Sequence, residues 1–157
     1  MSLILKYTKT SENAIIPTRT HPSDIGLDLS AISYIKNLNS STILLETGLI
    51  VNPPEGYYVE IVSRSSLSKS YWMLANSIGI IDPNYRDSLK IALTLKQSND
   101  SLETLTNKIE YPFRCCQIIL RKIEYVELEE SNIDVNTDRG LGCFGSSDKV
   151  KDGIVLK

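Results

Sequence analysis

The chain has 157 residues, 41% of them hydrophobic and 23% charged, with a formal net charge of −2. That is enough chain for one domain with a real core, and the slight negative balance excludes a protein that draws nucleic acid or anionic membrane from a distance. Three cysteines and a single histidine give neither a disulfide framework nor zinc-ligand spacing.

The apolar N-terminus, residues 1–7, is short and carries no cleavage signal after it. No run approaches the length of a membrane helix. The expected address is a soluble, reducing compartment, the cytoplasm, with the nucleus as an alternative. Ile25 to Leu29 reads as a β-like apolar stretch holding one acid, Asp28. An acid there needs a partner, either metal-bound water or an arginine in a structural ion pair. Thr42 to Val51 reads as a strand ended by Asn52-Pro53-Pro54, and Tyr57 to Val62, after Gly56, reads as another.

Ser63-Arg64-Ser65-Ser66 offers two hydroxyl groups, a guanidinium and, if a helix follows, free N–H groups suited to phosphate. A helix cap beside a surface arginine accounts for it equally. The spacing of Leu67, Tyr71 and Leu74 predicts a helix over Leu67–Asn76. Asp82-Pro83-Asn84-Tyr85 has the residues of a type I turn and, lying between β-rich stretches, predicts a hairpin tip presenting a carboxylate beside an aromatic ring. A plain turn is the alternative.

Leu89, Ile91, Leu93 and Leu95 alternate with Lys90, Ala92, Thr94 and Lys96, the period of a half-buried strand. Ser98–Asn107 is polar and reads as a surface loop. Phe113–Arg121 reads as a strand with a centre apolar on both faces. On a regular strand Cys115 and Cys116 point to opposite faces, and so do Arg114 and Gln117, of which at most one faces a given site. Ser131–Asp138 is linker-like. Beyond it, three glycines in Gly140-Leu141-Gly142-Cys143-Phe144-Gly145 match a dinucleotide-binding string. That motif needs a strand before it, a helix after it and a long βαβ unit, and the sequence supplies none of these. A loop that wraps phosphates, with Phe144 free to stack on a flat ring, fits better; a disordered tail is the alternative.

Five segments stand in one order: Gly26-Leu27-Asp28-Leu29, Arg64-Ser65-Ser66-Leu67, Gly79-Ile80-Ile81-Asp82-Pro83-Asn84-Tyr85-Arg86, Arg114-Cys115-Cys116-Gln117 and Arg139 to Ser147. Together they resemble the motifs of the trimeric dUTP pyrophosphatases, in the same order and at similar spacings. Departures exist: Ser63 and Asp87 stand where that family commonly has glycine, as do Cys143 and Asp148, and Pro112-Phe113 replaces a usual Gly-Asp turn. Asp87 and Cys143 raise the question of a backbone that needs positive φ.

The resemblance implies an all-β, distorted jelly-roll or β-sandwich fold with one short helix, assembled as a homotrimer with shared sites. It implies one β domain over residues 1–136 and a C-terminal arm over 137–157 that closes on a neighbouring subunit's site. It implies hydrolysis of dUTP to dUMP and pyrophosphate with Mg²⁺. Asp82 would activate water at the α-phosphorus, and Tyr85 would pack against the deoxyribose. Gly79, Ile80 and Ile81, with Lys90 nearby and the Asn76 amide, would read uracil. Arg64, Ser65 and Ser66 would hold phosphates. Asp28 and Gln117 would act through Mg²⁺-bound water, and Arg139, Phe144, Gly145 and Ser146 would come from the arm. Two other readings share the fold, a dCTP deaminase and a non-catalytic nucleotide-binding regulator. The deaminase needs a glutamate on the strand after the turn, which here reads Leu89-Lys90-Ile91-Ala92-Leu93.

Overall fold

A computed structural model describes residues 3–138, 140, 149–151 and 154–156. The chain divides into two units, Met1–Glu124 and Tyr125–Lys157. The first is built on antiparallel sheets. One is four-stranded, in the order β2 (Leu27–Ala31), β10 (Phe113–Lys122), β6 (Tyr57–Ser63), β8 (Gly79–Ile81). A second has the order β3 (Ser33–Asn37), β4 (Thr42–Glu46), β9 (Lys90–Leu95), β7 (Trp72–Leu74). A small third sheet pairs β1 (Lys6–Lys9) with β5 (Leu49–Asn52). Leu29, Val59, Ile61 and Ile118 from the first sheet and Ile43, Leu45, Ile91 and Leu93 from the second share one core. Alternation puts these side chains inward and their neighbours outward, the arrangement of a β-sandwich. Among the described residues no helix is long and apolar enough to cross a membrane.

Several elements differ from the sequence expectations. Thr42–Val51 is two strands in different sheets. The break is at Thr47-Gly48, where Gly48 has φ 70° and the Glu46 carboxylate accepts from both backbone N–H groups, at 2.9 and 2.8 Å. The helix expected over Leu67–Asn76 is a 3₁₀ turn, Ser65–Lys69, followed by β7. Trp72 and Leu74 are buried while Tyr71 and Met73 are exposed. That period-two pattern fits the strand that pairs with β9. Conversely, the expected loop holds a helix, α1 (Leu102–Asn107), whose Ser101 side chain caps the Thr104 N–H. Leu105 anchors α1 in the core. In the second unit, residues 125–138 are exposed and irregular, and β11 (Lys149–Lys151) pairs with β12 (Ile154–Leu156).

β10 carries a bulge. Phe113 pairs with Ala31 and Cys116 with Leu29, three steps against two. The extra residue locally disrupts the alternation of the strand, and Cys115 and Cys116 are both buried. The hydrogen bond with Cys115 and burial push the Cys116 thiol well above its usual range. Further along, Glu60 sits mid-strand on β6 opposite Ile119 and Ile80 and is only 8% exposed. Its carboxylate is held by Tyr58 Oη at 2.8 Å and Arg121 Nε at 2.9 Å.

Those hydrogen bonds, Arg121 first and Tyr58 next, pull the Glu60 carboxyl below the usual range. Its stabilisation is then present above the unfolded-state pKa of about 4.3 and is lost as pH falls through the lower folded value. Glu60→Gln should lower stability by about 1 kcal/mol in urea titrations at pH 7, discounted because Arg121 is half exposed. The difference from wild type should vanish on acidification. A difference that is independent of pH would contradict the assignment.

Candidate active site

Three segments bring polar and charged groups to one end of the first sheet. Asp28 on β2 lies opposite Gln117 on β10, and β10 runs beside β6, which delivers Arg64 just past its end. Arg64 Nε contacts Asp28 Oδ1 at 2.6 Å, and Arg114 Nη1 approaches Asp28 Oδ2 at 3.4 Å. Arg64 Nη1 also donates to the Arg114 carbonyl at 3.2 Å and to Ser66 Oγ at 3.4 Å. The β10 bulge lies between Phe113 and Cys116; Arg114 approaches the Asp28 carboxylate, while the Gln117 side chain turns to the Ser63 carbonyl. The Asp28 side chain is 14% exposed; of the two partners left open by the sequence, this structure fills the arginine.

The result is a cleft of about 310 Å³ whose walls include Asp28, Arg64, Ser65 and Gln117. Each guanidinium has five donors, so one carboxylate between two of them leaves N–H groups for a further anion. The helix dipole imagined behind Ser65 and Ser66 is missing, because the helix is a single 3₁₀ turn. An anion in this cleft would have to be held by side chains and local backbone. Gly26 completes the floor: a Cβ there would collide with Gln117 Oε1 and come within 2.7 Å of Cδ. The Gln117 amide is thereby laid over bare backbone, with Nε2 donating to the Ser63 carbonyl at 3.2 Å.

A second cluster surrounds the turn at Asp82, which closes with Tyr85 N–H donating to the Asp82 carbonyl at 3.0 Å. Asp82 is exposed and Tyr85 is 37% exposed. The turn is not a hairpin tip, since β8 before it and β9 after it belong to different sheets. It is a crossing between the two layers. Gly79 packs against β6, where an added Cβ would meet Ile61 at 3.2 Å and the Asn76 amide at 3.4 Å. Ile80 points outward and Ile81 is half-buried.

Beyond the turn, Asp87 accepts from Ser88 N–H at 2.7 Å and from Lys90 Nζ at 2.6 Å. The Lys90 hydrogen bond is the main reason the Asp87 carboxyl lies below its usual range. Burial, the largest influence on Lys90, works against its charge, but the Asp87 hydrogen bond and the Tyr85, Glu46 and Asp87 charges outweigh it and raise the ammonium pKa. Among described non-glycine residues only Ser77 has positive φ, 59°, so Asp87 needs no glycine geometry. The sequence reading gave no role to Arg86, whose guanidinium bonds two carbonyls of the turn. Nor did it give one to Arg114 beyond its place in a motif.

The two clusters stand apart within one chain. Ile61 pairs with Gly79 and Val59 with Ile81, so Asp82 leaves β8 beyond the Tyr58 end of β6, while Arg64 follows the other end. Six residues at a strand rise of about 3.3 Å separate them by roughly 20 Å. Arg139, Phe144, Gly145 and Ser146 lie outside the described residues, as does Cys143.

A family model described as dUTPase matches residues 12–148. A deoxyuridine 5'-triphosphate nucleotidohydrolase of Swinepox virus is 37% identical, over 94% of this chain and 99% of its own. A protein of the same name from Clostridioides difficile is 32% identical, over 91% and 96%. Among solved structures, a dUTPase of Staphylococcus bacteriophage 80alpha with dUpNHpp has a similar fold, with a TM-score of 0.75 at 24% identity, covering 92% of this chain and 98% of that one.

Because Gln117 ends in a flexible group, Gly26→Ala should leave the melting temperature close to wild type while driving the amide away from Ser63. The side-chain NH₂ resonances of Gln117 should then shift in NMR spectra. Unmoved resonances would show that the glycine does not seat the amide.

Proposed function

The chain belongs to the dUTPase family, and on that premise we propose how its two clusters divide the work. The enzyme hydrolyses dUTP to dUMP and pyrophosphate. Asp82 acts as general base, orienting and deprotonating the water that attacks the α-phosphorus. Tyr85 packs flat on the deoxyribose, where a 2′-hydroxyl group would collide with the ring; this excludes UTP. Uracil is read by backbone groups of Gly79 to Ile81 beside Lys90 and by the Asn76 amide. Cytosine offers a donor where uracil has an acceptor, so a site built for one leaves buried groups unpaired with the other.

The phosphates go to Arg64, Ser65 and Ser66. Anionic oxygens suit the spare guanidinium donors around Asp28, the observation that carries this reading. Among the described residues no three acidic, histidine or cysteine groups gather as a metal cage, and Asp28 already faces two arginines. That donor set fits Mg²⁺ held chiefly by triphosphate oxygens and water, with Asp28 and Gln117 reaching it through those waters. When bound, Mg²⁺ offsets negative charge on the triphosphate. Arg139, Phe144, Gly145 and Ser146 belong to an arm that covers the bound nucleotide and excludes bulk water.

One nucleotide must meet both clusters, and the roughly 20 Å between them along β6 supports drawing them from different copies. The resemblance to the trimeric dUTP pyrophosphatases supplies the number of copies, a homotrimer, with each arm serving a neighbour. Buried free Cys115 and Cys116 suit a reducing compartment. β9 carries no acid, which leaves a deaminase without its proton shuttle.

Pyrophosphate release should be seen with dUTP and be far weaker with UTP, dTTP and dCTP, and EDTA should suppress it. Asp82→Asn should lower kcat by about 10²–10⁴-fold. Near-full activity in that variant would remove Asp82 from the role of base, and ammonia release from dCTP would revive the deaminase.

A further inference from the structure

The Asp82–Tyr85 turn presents both the base and the sugar gate, yet it is a short exposed crossing between two sheets with one hydrogen bond of its own. Something must hold it. Arg86 Nη1 donates to the Pro83 carbonyl at 2.6 Å and to the Tyr85 carbonyl at 2.8 Å, and Nη2 donates to Asn52 Oδ1 at 2.8 Å. The two carbonyls flank Asn84. With the Asp82 carbonyl already taken by Tyr85 N–H, three of the turn's four peptide oxygens are fixed.

Asn52 is a firm post. It ends β5, whose Leu49 and Val51 are buried in the core and whose backbone pairs with β1 from Lys6 to Lys9. The same strand holds the far end of the crossing, since Leu89 N–H donates to the Leu49 carbonyl at 2.7 Å. The Tyr85 hydroxyl reaches the Ser88 carbonyl at 3.3 Å, so the ring lies between two tethered points. A planar guanidinium can serve three acceptors in fixed directions; an ammonium group on a flexible stem cannot hold the same geometry.

We propose that Arg86 and Asn52 are positioning residues, which clamp the Asp82–Tyr85 turn to β5 and so set both the attack geometry and the selection of deoxyribose. The proposal rests on the assignment of Asp82 and Tyr85 given above. Among the described residues, the side-chain hydrogen bonds of both clamp residues go to the turn and to each other, not to the groups assigned to substrate. Both act through the backbone that carries the base and the ring, and misplacement of a reacting group by about 1 Å can cost 10²-fold in rate.

The test compares Arg86→Ala, Arg86→Lys, Asn52→Ala, Asn52→Asp and the double Arg86→Ala/Asn52→Ala by steady-state kinetics on dUTP and UTP, with melting temperatures. Arg86→Ala should lower kcat on dUTP by about 10–100-fold and raise UTP turnover relative to dUTP, with a melting temperature near wild type. Asn52→Ala should show the same pattern more weakly, and Asn52→Asp, which keeps an acceptor, should recover most of its loss. Arg86→Lys should recover part. The double variant should match Arg86→Ala, because the two residues act as one unit. An unchanged kcat and dUTP-to-UTP ratio in a folded Arg86→Ala enzyme would overturn the clamp, and so would losses that simply add in the double variant. If Arg86→Ala does not fold, the Asn52 pair decides by the same readouts. A wild-type enzyme that leaves dUTP intact would instead overturn the function on which the clamp rests.

Discussion

β6 runs antiparallel to both of its neighbours, and that register sets which end of the first sheet each of its candidate site residues occupies. Against β8 it places Gly79 at Ile61 and Ile81 at Val59. Against β10 it places Gln117 at Val62, and β10 in turn sets Gln117 against Asp28. A slip of one residue would send each of these side chains to the other face, which the core positions Val59, Ile61 and Ile118 forbid because their burial depends on the present alignment. Packing therefore fixes the site. The register also fixes a distance, because the Arg64 end of β6 and the end beside the Asp82 turn are opposite ends of one strand.

The two ends solve different electrostatic problems. At the first, one carboxylate between two guanidiniums keeps the arginines in place without using all their donors, and the weakly acidic protein needs no long-range basic field. At the second, Asp82 and Tyr85 are exposed on a crossing between sheets, and order comes from side chains that bind backbone oxygens: Arg86 before β9 and Lys90 on it. The Asp87–Lys90 pair is half open to solvent, and pairs of that kind add little to global stability. Its effect is local, on the segment that follows Tyr85.

Much of this was legible in the sequence where the signal is local. Period-two alternation marked β9, and Asp-Pro-Asn-Tyr marked a four-residue turn through the preferences of each position. The order of five short motifs identified the family although each alone has a bland reading. What the sequence hid was set by distant partners. The helical spacing of Leu67, Tyr71 and Leu74 lost to alternation at Trp72 and Leu74, because β9 offered an edge to pair with. The bulge between Phe113 and Cys116 left no local trace. Sheet membership, which makes the Asp82 turn a crossing, depends on contacts far along the chain. Asp87 shows the converse: a glycine expected from resemblance was unnecessary, because the backbone there needs no positive φ.

One catalytic site is proposed to take its base and its phosphate-binding group from different copies of the chain. An equimolar mixture of two inactive variants, Asp82→Asn and Arg64→Ala, refolded together and assayed for dUTP hydrolysis, tests that sharing. Random assembly should restore activity to about a quarter of the wild-type sites, since some sites then combine an intact Asp82 with an intact Arg64 from a neighbour. A mixture as inactive as either variant alone, although the chains have co-assembled, would mean that both groups come from one chain, and the shared site would be wrong.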